Sequence, residues 1–308
     1  MKPASGQEAL NVKRPPVMVR WVLSILLIIG AAALVISQRD NLSGARRSLA
    51  EADPLLVTGL LTCVILNIFF TSLLYWVLTR PYAEKETLRF RDMAGMICAA
   101  GLLNYLPLRA GLLGRVAYQK TRFGITVKSS TLTVMQAVGL SGVTALSLVA
   151  AAASGLLIYY FLFLPVAVGL IFWRVGSGGG MYSRLGAALI IRQFDAFAWV
   201  GRYYLVFSLL GKDVPLAAAC AVAGVGMLAS FVPFTSNGLG LREWAVGLTA
   251  AVLPAGWIVA EKGTSVTSLA VGADLCNRAG ELIVIVPLGI LVLWLQMRRN
   301  PPTDRGEC

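Results

Sequence analysis

The sequence predicts an all-helical, polytopic membrane bundle of about seven or eight hydrophobic helices, with two broken or re-entrant elements. Three observations predict it. Charged residues make up 14% of the chain, where a soluble domain carries about a quarter. Mean hydropathy is +0.74, and the apolar residues come in long charge-free runs. Two further apolar stretches are too short, or too interrupted by proline, to cross a bilayer unaided. A hydrocarbon layer about 30 Å thick calls for roughly 20 helical residues, and that length sorts the runs. No polar stretch is long enough to form a second domain, so residues 1–308 read as one integral membrane domain.

Taken in order, Met18–Ser37 follows Lys2, Lys13 and Arg14 and spans 20 residues. It exceeds the apolar core of a cleaved signal peptide and reads as an anchored first helix. Pro54–Leu78 adds 25 charge-free residues, and Ser129–Trp173 adds 45, which must be two crossings turning near Ser154-Gly155. Leu185–Leu210, Val214–Leu241 and Leu282–Met297 are the remaining candidates. Met93–Pro107 and Trp244–Ala260 are the short pieces. They read as re-entrant or discontinuous helices, tolerated only where protein or a cavity surrounds them; a tilted ordinary span is the alternative. The Gly-rich segment 174–184 reads as a flexible linker between two halves, 17–173 and 185–298.

Net charge is +12. The basic residues flank the apolar runs, which is how a bilayer sorts them, so no nucleic-acid partner is expected. Arg80–Asp92 and Arg109–Lys128 are rich in Lys and Arg and should lie on the cytoplasmic side, with the N-terminus. The side of the C-terminal Arg298, Arg299 and Arg305 depends on whether Trp244–Ala260 crosses. There are five cysteines and no histidine, with no metal-ligand spacing, phosphate loop or paired carboxylates. No cofactor, metal or catalytic residue is expected, and the chain does not read as an enzyme.

Two motifs stand out. Asn104-Tyr105-Leu106-Pro107-Leu108-Arg109-Ala110-Gly111 continues to Arg115, and Pro233 leads through Gly238 and Gly240 to Arg242-Glu243. Pro and Gly interrupt a helix and free backbone N–H groups to face an anion, and an Arg one turn on adds a fixed charge suited to phosphate. The spacing from Gly111 to Arg115 equals that from Gly238 to Arg242, as expected of a protein built from two repeated halves. Ordinary interfacial loops with snorkelling Arg are the plainer reading.

Charges also fall inside apolar runs. Arg192, Asp195 and Arg202 share one helical face, as do Asp274, Arg278 and Glu281. Each costs about 2.5–3.5 kcal/mol at mid-membrane on insertion scales, so they pair within the bundle or line a wet path. With Arg109, Arg115, Arg242 and Glu243 they make six cations and four anions, a surplus suited to an anionic headgroup.

At these motifs the chain resembles the family named for the transmembrane region of lysylphosphatidylglycerol synthase, the flippase-like membrane proteins. The resemblance rests on an N-x-x-P-x-R-x-G element at Asn104, Pro107, Arg109 and Gly111. It rests also on a P-x-x-x-x-G-x-G-x-R-E element at Pro233, Gly238, Gly240, Arg242 and Glu243, with Arg278 fitting a later Arg. It covers roughly residues 20 to 298. Leu112 stands where the family often has Glu, and Thr131–Ser147 lacks a common Asp-Arg pair, Gln136 being its most polar long side chain. The resemblance implies a multi-pass protein of a prokaryotic plasma membrane that translocates or handles a lipid: a phospholipid, hopanoid or polyprenyl-linked lipid. The soluble aminoacyl-transferase domain of fused members has no counterpart in these residues. A non-transporting accessory subunit that partners an enzyme of lipid metabolism is the alternative, and a membrane-embedded lipid-modifying enzyme using Glu243, Asp195 or Asp274 is the third.

Overall fold

The computed structural model describes residues 53–105, 110–155, 158–176, 180–230, 241–259 and 265–299; the expected first span, Met18–Ser37, lies outside them. Among the described residues there are nine α-helices and no strand. They are α1 (Pro54–Thr79), α2 (Phe90–Leu103), α3 (Ala110–Phe123), α4 (Val127–Ala153), α5 (Ile158–Val175), α6 (Met181–Leu209), α7 (Leu216–Ala229), α8 (Leu241–Val252) and α9 (Val266–Arg299). Four stretches are long and apolar enough to cross a membrane: Pro54–Tyr82, Val127–Ala153, Ile158–Val175 and Val266–Leu295. The fifth long helix, α6, has 29 residues but carries Arg184, Arg192, Asp195 and Arg202.

Local signals set the boundaries. Asp53 caps α1, its Oδ1 accepting the Leu55 N–H at 2.9 Å, and Pro54 occupies the first turn, where a missing N–H costs nothing. Thr126 Oγ1 accepts the Ser129 N–H at 3.1 Å and starts α4. The 45-residue charge-free run does divide into two helices, and Gly155, at φ +56°, lies in the turn between them.

The bundle is apolar outside and small or polar inside. On α4, Leu132, Met135, Val138, Val143 and Leu146 are exposed while Ser130, Thr133, Ser141 and Thr144 are buried. The buried hydroxyls donate to carbonyls of their own helix, as in Thr133 to Ser130 at 2.8 Å and Ser141 to Ala137 at 2.6 Å. A soluble helix would be patterned the other way round; lipid as solvent explains the inversion. Close crossings use glycine. A Cβ on Gly186 would overlap the Gly169 carbonyl, so α5 and α6 approach through two glycines.

The short helices differ from expectation in extent. Val214–Leu241 is no single span: α7 stops at Ala229 after 14 residues. The second short piece, α8, stops at Val252 because Pro254 cannot continue it. Instead of one broken helix in each half there are two pairs of half-length helices, α2–α3 (14 and 14 residues) and α7–α8 (14 and 12). The first pair turns back on itself. The Phe123 carbonyl at the end of α3 accepts N–H bonds from Glu84 (3.0 Å) and Lys85 (3.1 Å), just ahead of α2. Leu88, Met93, Met96, Phe123 and Ile125 seal that end as a small apolar cluster.

Of the Gly-rich segment only its ends are described, residues 177–179 lying outside the described residues, and Gly176 sits close to the start of α6. Gly176 bonds back to Phe172 O at 3.0 Å, and a Cβ there would collide with the backbone of Ser183. Helices from the two halves also interleave: α1 packs on α6, α7 on α4, and α2 on α9.

Candidate functional site

The buried charges of α6, α8 and α9 join into one network. Arg242, the second residue of α8, directs its Nε to both oxygens of Asp274 at 3.0 and 2.9 Å. Tyr203 Oη donates to the same carboxylate at 2.6 Å. Glu243 reaches the other way, its Oε1 2.8 Å from Arg278 Nε, which also lies 3.5 Å from Asp274. On the far side Arg202 donates to Asn277 Oδ1 (2.7 Å), Glu281 Oε2 (3.0 Å) and Asn67 Oδ1 (3.1 Å). Asn67 in turn donates to Asp195, which also pairs with Arg192. Trp199 sits beneath two guanidiniums, its ring centre 4.8 Å from that of Arg202 and 5.5 Å from that of Arg242.

Helical spacing produces this assembly. Arg192, Asp195, Trp199 and Arg202 occupy one stripe of α6; Asp274, Asn277, Arg278 and Glu281 occupy one stripe of α9. Arg202, Asp195 and Asp274 have no accessible surface, and Arg242 has 1%. Each cation therefore needs an anion in van der Waals range, because an isolated buried charge is prohibitively costly. Among the described residues the network has four cations (Arg192, Arg202, Arg242, Arg278) and four anions (Asp195, Glu243, Asp274, Glu281), which balance.

That balance changes the reading of the charge surplus. The two extra cations are Arg109, outside the described residues, and Arg115. Arg115 does not join Arg242. It projects from α3, 7% exposed, with its guanidinium 3.9 Å over the ring of Tyr75 on α1. Tyr75 is eight residues along α1 from Asn67, about 12 Å at helical rise. Among the described residues no carboxylate lies in salt-bridge range of Arg115, and its buried Nε has no hydrogen-bond partner.

Of the other expected residues, Asn104 ends α2 and donates its backbone N–H to Ala100 O at 2.8 Å. Gly111 packs where a Cβ would overlap the Ala100 carbonyl oxygen, so only glycine allows α3 to cross α2 there. Pro107, Arg109, Pro233, Gly238 and Gly240 lie outside the described residues. Tyr105, at the tip of the first short pair, is buried and within electrostatic reach of Glu281, Arg242, Arg278 and Arg202. Three buried atoms, Tyr105 Oη, Glu243 Oε2 and Asn277 Nδ2, have no hydrogen-bond partner among the described residues.

Sequence reasoning paired Asp274 with Arg278 along one helix; the structure pairs it first with Arg242 across two. Asn67, Tyr75, Trp199, Tyr203 and Asn277 went unmarked. Asn67 left a signal, being the sole side-chain amide in the 25-residue run Pro54–Leu78. Among the described residues no group of three His, Cys, Asp or Glu side chains is arranged to hold a metal. Compared with family models, curated proteins and solved structures, the chain matches none.

Proposed function

We propose that this is a flippase-like membrane protein that translocates or handles an anionic lipid in a prokaryotic plasma membrane. The observation that carries the reading is the first pair of half-length helices. Its two helices enter the bundle and return to the side they came from, with buried Tyr105, just past the end of the first, within electrostatic reach of the largely buried polar network. Interrupted backbone at that depth is stable only beside protein or a hydrated path, and transporters use such elements at their substrate sites. Arg115 sets the sign of the substrate. It is the buried cation without an acidic partner among the described residues, and its guanidinium geometry matches a phosphate. The resemblance to the lysylphosphatidylglycerol synthase membrane region points the same way.

The chain also reads as two inverted repeats, α1–α4 and α6–α9, separated by α5. Helix lengths run 26, 14, 14, 27 in one and 29, 14, 12, 34 in the other. Exchanging α1 with α6, α2 with α7, α3 with α8 and α4 with α9 maps the packing pairs onto one another. Thus α2·α9 becomes α7·α4, and α1·α2 becomes α6·α7. Each set contains two crossings and one returning pair, so the single crossing α5 makes the second set enter from the opposite face.

This topology puts the α1–α2, α3–α4 and α5–α6 connections on one side, with the C-terminus. Arg184 at the start of α6 supports it by lying 5.8 Å from the ring centre of Tyr82 at the end of α1. That side is the basic one, with Arg80, Lys85, Arg89, Arg91, Lys120, Arg122, Lys128, Arg174, Arg184, Arg298 and Arg299, so it is cytoplasmic.

The test is translocation of labelled phosphatidylglycerol in proteoliposomes. Arg115→Gln is expected to abolish it while leaving the protein monodisperse and folded. Undiminished translocation in that variant removes Arg115 from the path and, with it, the anionic specificity.

A further inference from the structure

The cytoplasmic end of the first short pair holds a cleft of about 490 Å³ lined by Lys85, Glu86, Thr87, Arg89, Arg91, Asp92 and Arg122. Its two acids are already engaged. Asp92 accepts the Arg89 backbone N–H at 3.3 Å, and Glu86 lies 3.5 Å from Arg122 Nε. Lys85, Arg89 and Arg91 are exposed, and none has a carboxylate in salt-bridge range among the described residues. The start of α2, a 14-residue helix, opens at the same place and adds the partial positive charge of its free N–H groups. Aromatic rings lie close to the chain that lines the cleft, Phe90 falling between the lining residues Arg89 and Arg91. Trp76 lies under Arg80 at 5.1 Å and donates Nε1 to Leu88 O at 3.0 Å, and Phe90 packs edge-on to Trp76 and Phe69. Rings of this kind mark the headgroup level of a bilayer, which is where lipid phosphates sit.

From Arg122, the α3 residue that lines the cleft, a row of side chains runs inward along that helix. Arg122 bonds Tyr118 Oη at 2.8 Å through Nη1. Arg115 lies one turn beyond Tyr118, and seven residues from Arg122 on the same helical face. That separation is about 10 Å of helix. An exposed basic cleft, a Tyr-bonded Arg and a buried Arg thus succeed one another from the membrane surface towards the interior.

We propose that this cleft captures the phosphate headgroup of an anionic glycerophospholipid from the adjoining leaflet, and that the Arg122–Tyr118–Arg115 face of α3 leads it inward. The proposal rests on the lipid-handling reading and names where that lipid first docks. Its ligand chemistry is a phosphate diester held by Lys and Arg, and the lipid source follows from the aromatic level at which the cleft lies.

The experiment is equilibrium binding of labelled phosphatidylglycerol to the full chain in nanodiscs of phosphatidylcholine, with no translocation required. Replacing Lys85, Arg89 and Arg91 together by Gln is expected to weaken binding about tenfold or more, since each basic residue at a membrane surface adds to the attraction for an anionic headgroup. The charge-preserving set Lys85→Arg, Arg89→Lys and Arg91→Lys is expected to keep it. Binding unchanged in the Gln variant overturns the proposal and leaves these residues as topology signals alone. Displacement of the lipid by soluble glycerol phosphate at similar concentration overturns it too, because the site would then recognise a free phosphate. If wild-type protein binds through these residues but translocates nothing, the transport reading fails and this site stands.

Discussion

The pair α2–α3 and the pair α7–α8 are built from helices of almost equal length, yet they place their arginines under opposite conditions. Arg242 opens α8 inside a network that is neutral among the described residues, its Nε 3.0 and 2.9 Å from the two oxygens of Asp274, the first of which also accepts from Tyr203. Arg115 sits in the second turn of α3 against an aromatic face, and among the described residues no acid answers it. Matched spacing in the sequence therefore hides a division. The second pair carries charge that holds helices together, and the first carries charge left over for something else. A buried ion pair is committed, because removing either partner strands the other in low dielectric. A cation resting on a tyrosine ring has no such obligation.

The comparison can be broken at its strongest point first. Asp274→Ala strands Arg242 and is expected to cost about 3–5 kcal/mol, as breaking a buried pair does. The readout is loss of the monodisperse peak and of the thermal transition in detergent. A stable, well-behaved Asp274→Ala protein would place the network in water and dissolve the contrast with Arg115.

Next comes the close crossing within the first pair. Gly111→Ala drives a methyl into the Ala100 carbonyl and is expected to destabilise by about 1–3 kcal/mol, the usual cost of overpacking. Gly139→Ala, where a Cβ meets nothing within 4 Å, is expected to be neutral or to stabilise by up to about 1 kcal/mol through helix propensity. Paired melting curves report the difference, and equal effects would contradict the packing described for α2 on α3.

Arg115→Gln should be smaller still in stability. Loss of a cation–π contact of this kind is worth about 1–2 kcal/mol, and relief of an uncompensated buried charge opposes it. A fall in stability as large as that of Asp274→Ala would show that Arg115 is structural after all. Smallest is Glu86→Gln at the exposed pair with Arg122. It is expected to change stability by less than about 1 kcal/mol, and by binding it should raise the cleft's positive charge rather than lower it.

Much of this was legible before any coordinates. The division of Ser129–Trp173 near Gly155 followed from length alone, because 45 helical residues exceed the membrane twofold. The buried faces of α6 and α9 followed from i, i+3, i+4 and i+7 spacing. The reach of α7 did not. Val214–Leu241 contains no charge and is long enough for one span, although it ends in the Pro233–Gly240 motif whose Pro and Gly read as helix-interrupting. Asn67 was visible as a lone amide, but its role between Asp195 and Arg202 needs three helices to meet.

The sequence by itself determined that the chain is helical and suited to lipid, that two of its elements fall short of a crossing, and which positions carry intramembrane charge. Those properties depend on composition and on periods of a few residues, which any stretch of chain displays locally. Which arginine answers which carboxylate was decided only by tertiary structure. Asp274 could satisfy Arg278 one turn away or Arg242 on another helix, and the sequence weighs both alike. Packing chose Arg242, and so neutralised the second pair while leaving Arg115 in the first without an acidic neighbour among the described residues. Pairing in a low-dielectric interior turns on ångström distances between separate helices, and no local pattern encodes those.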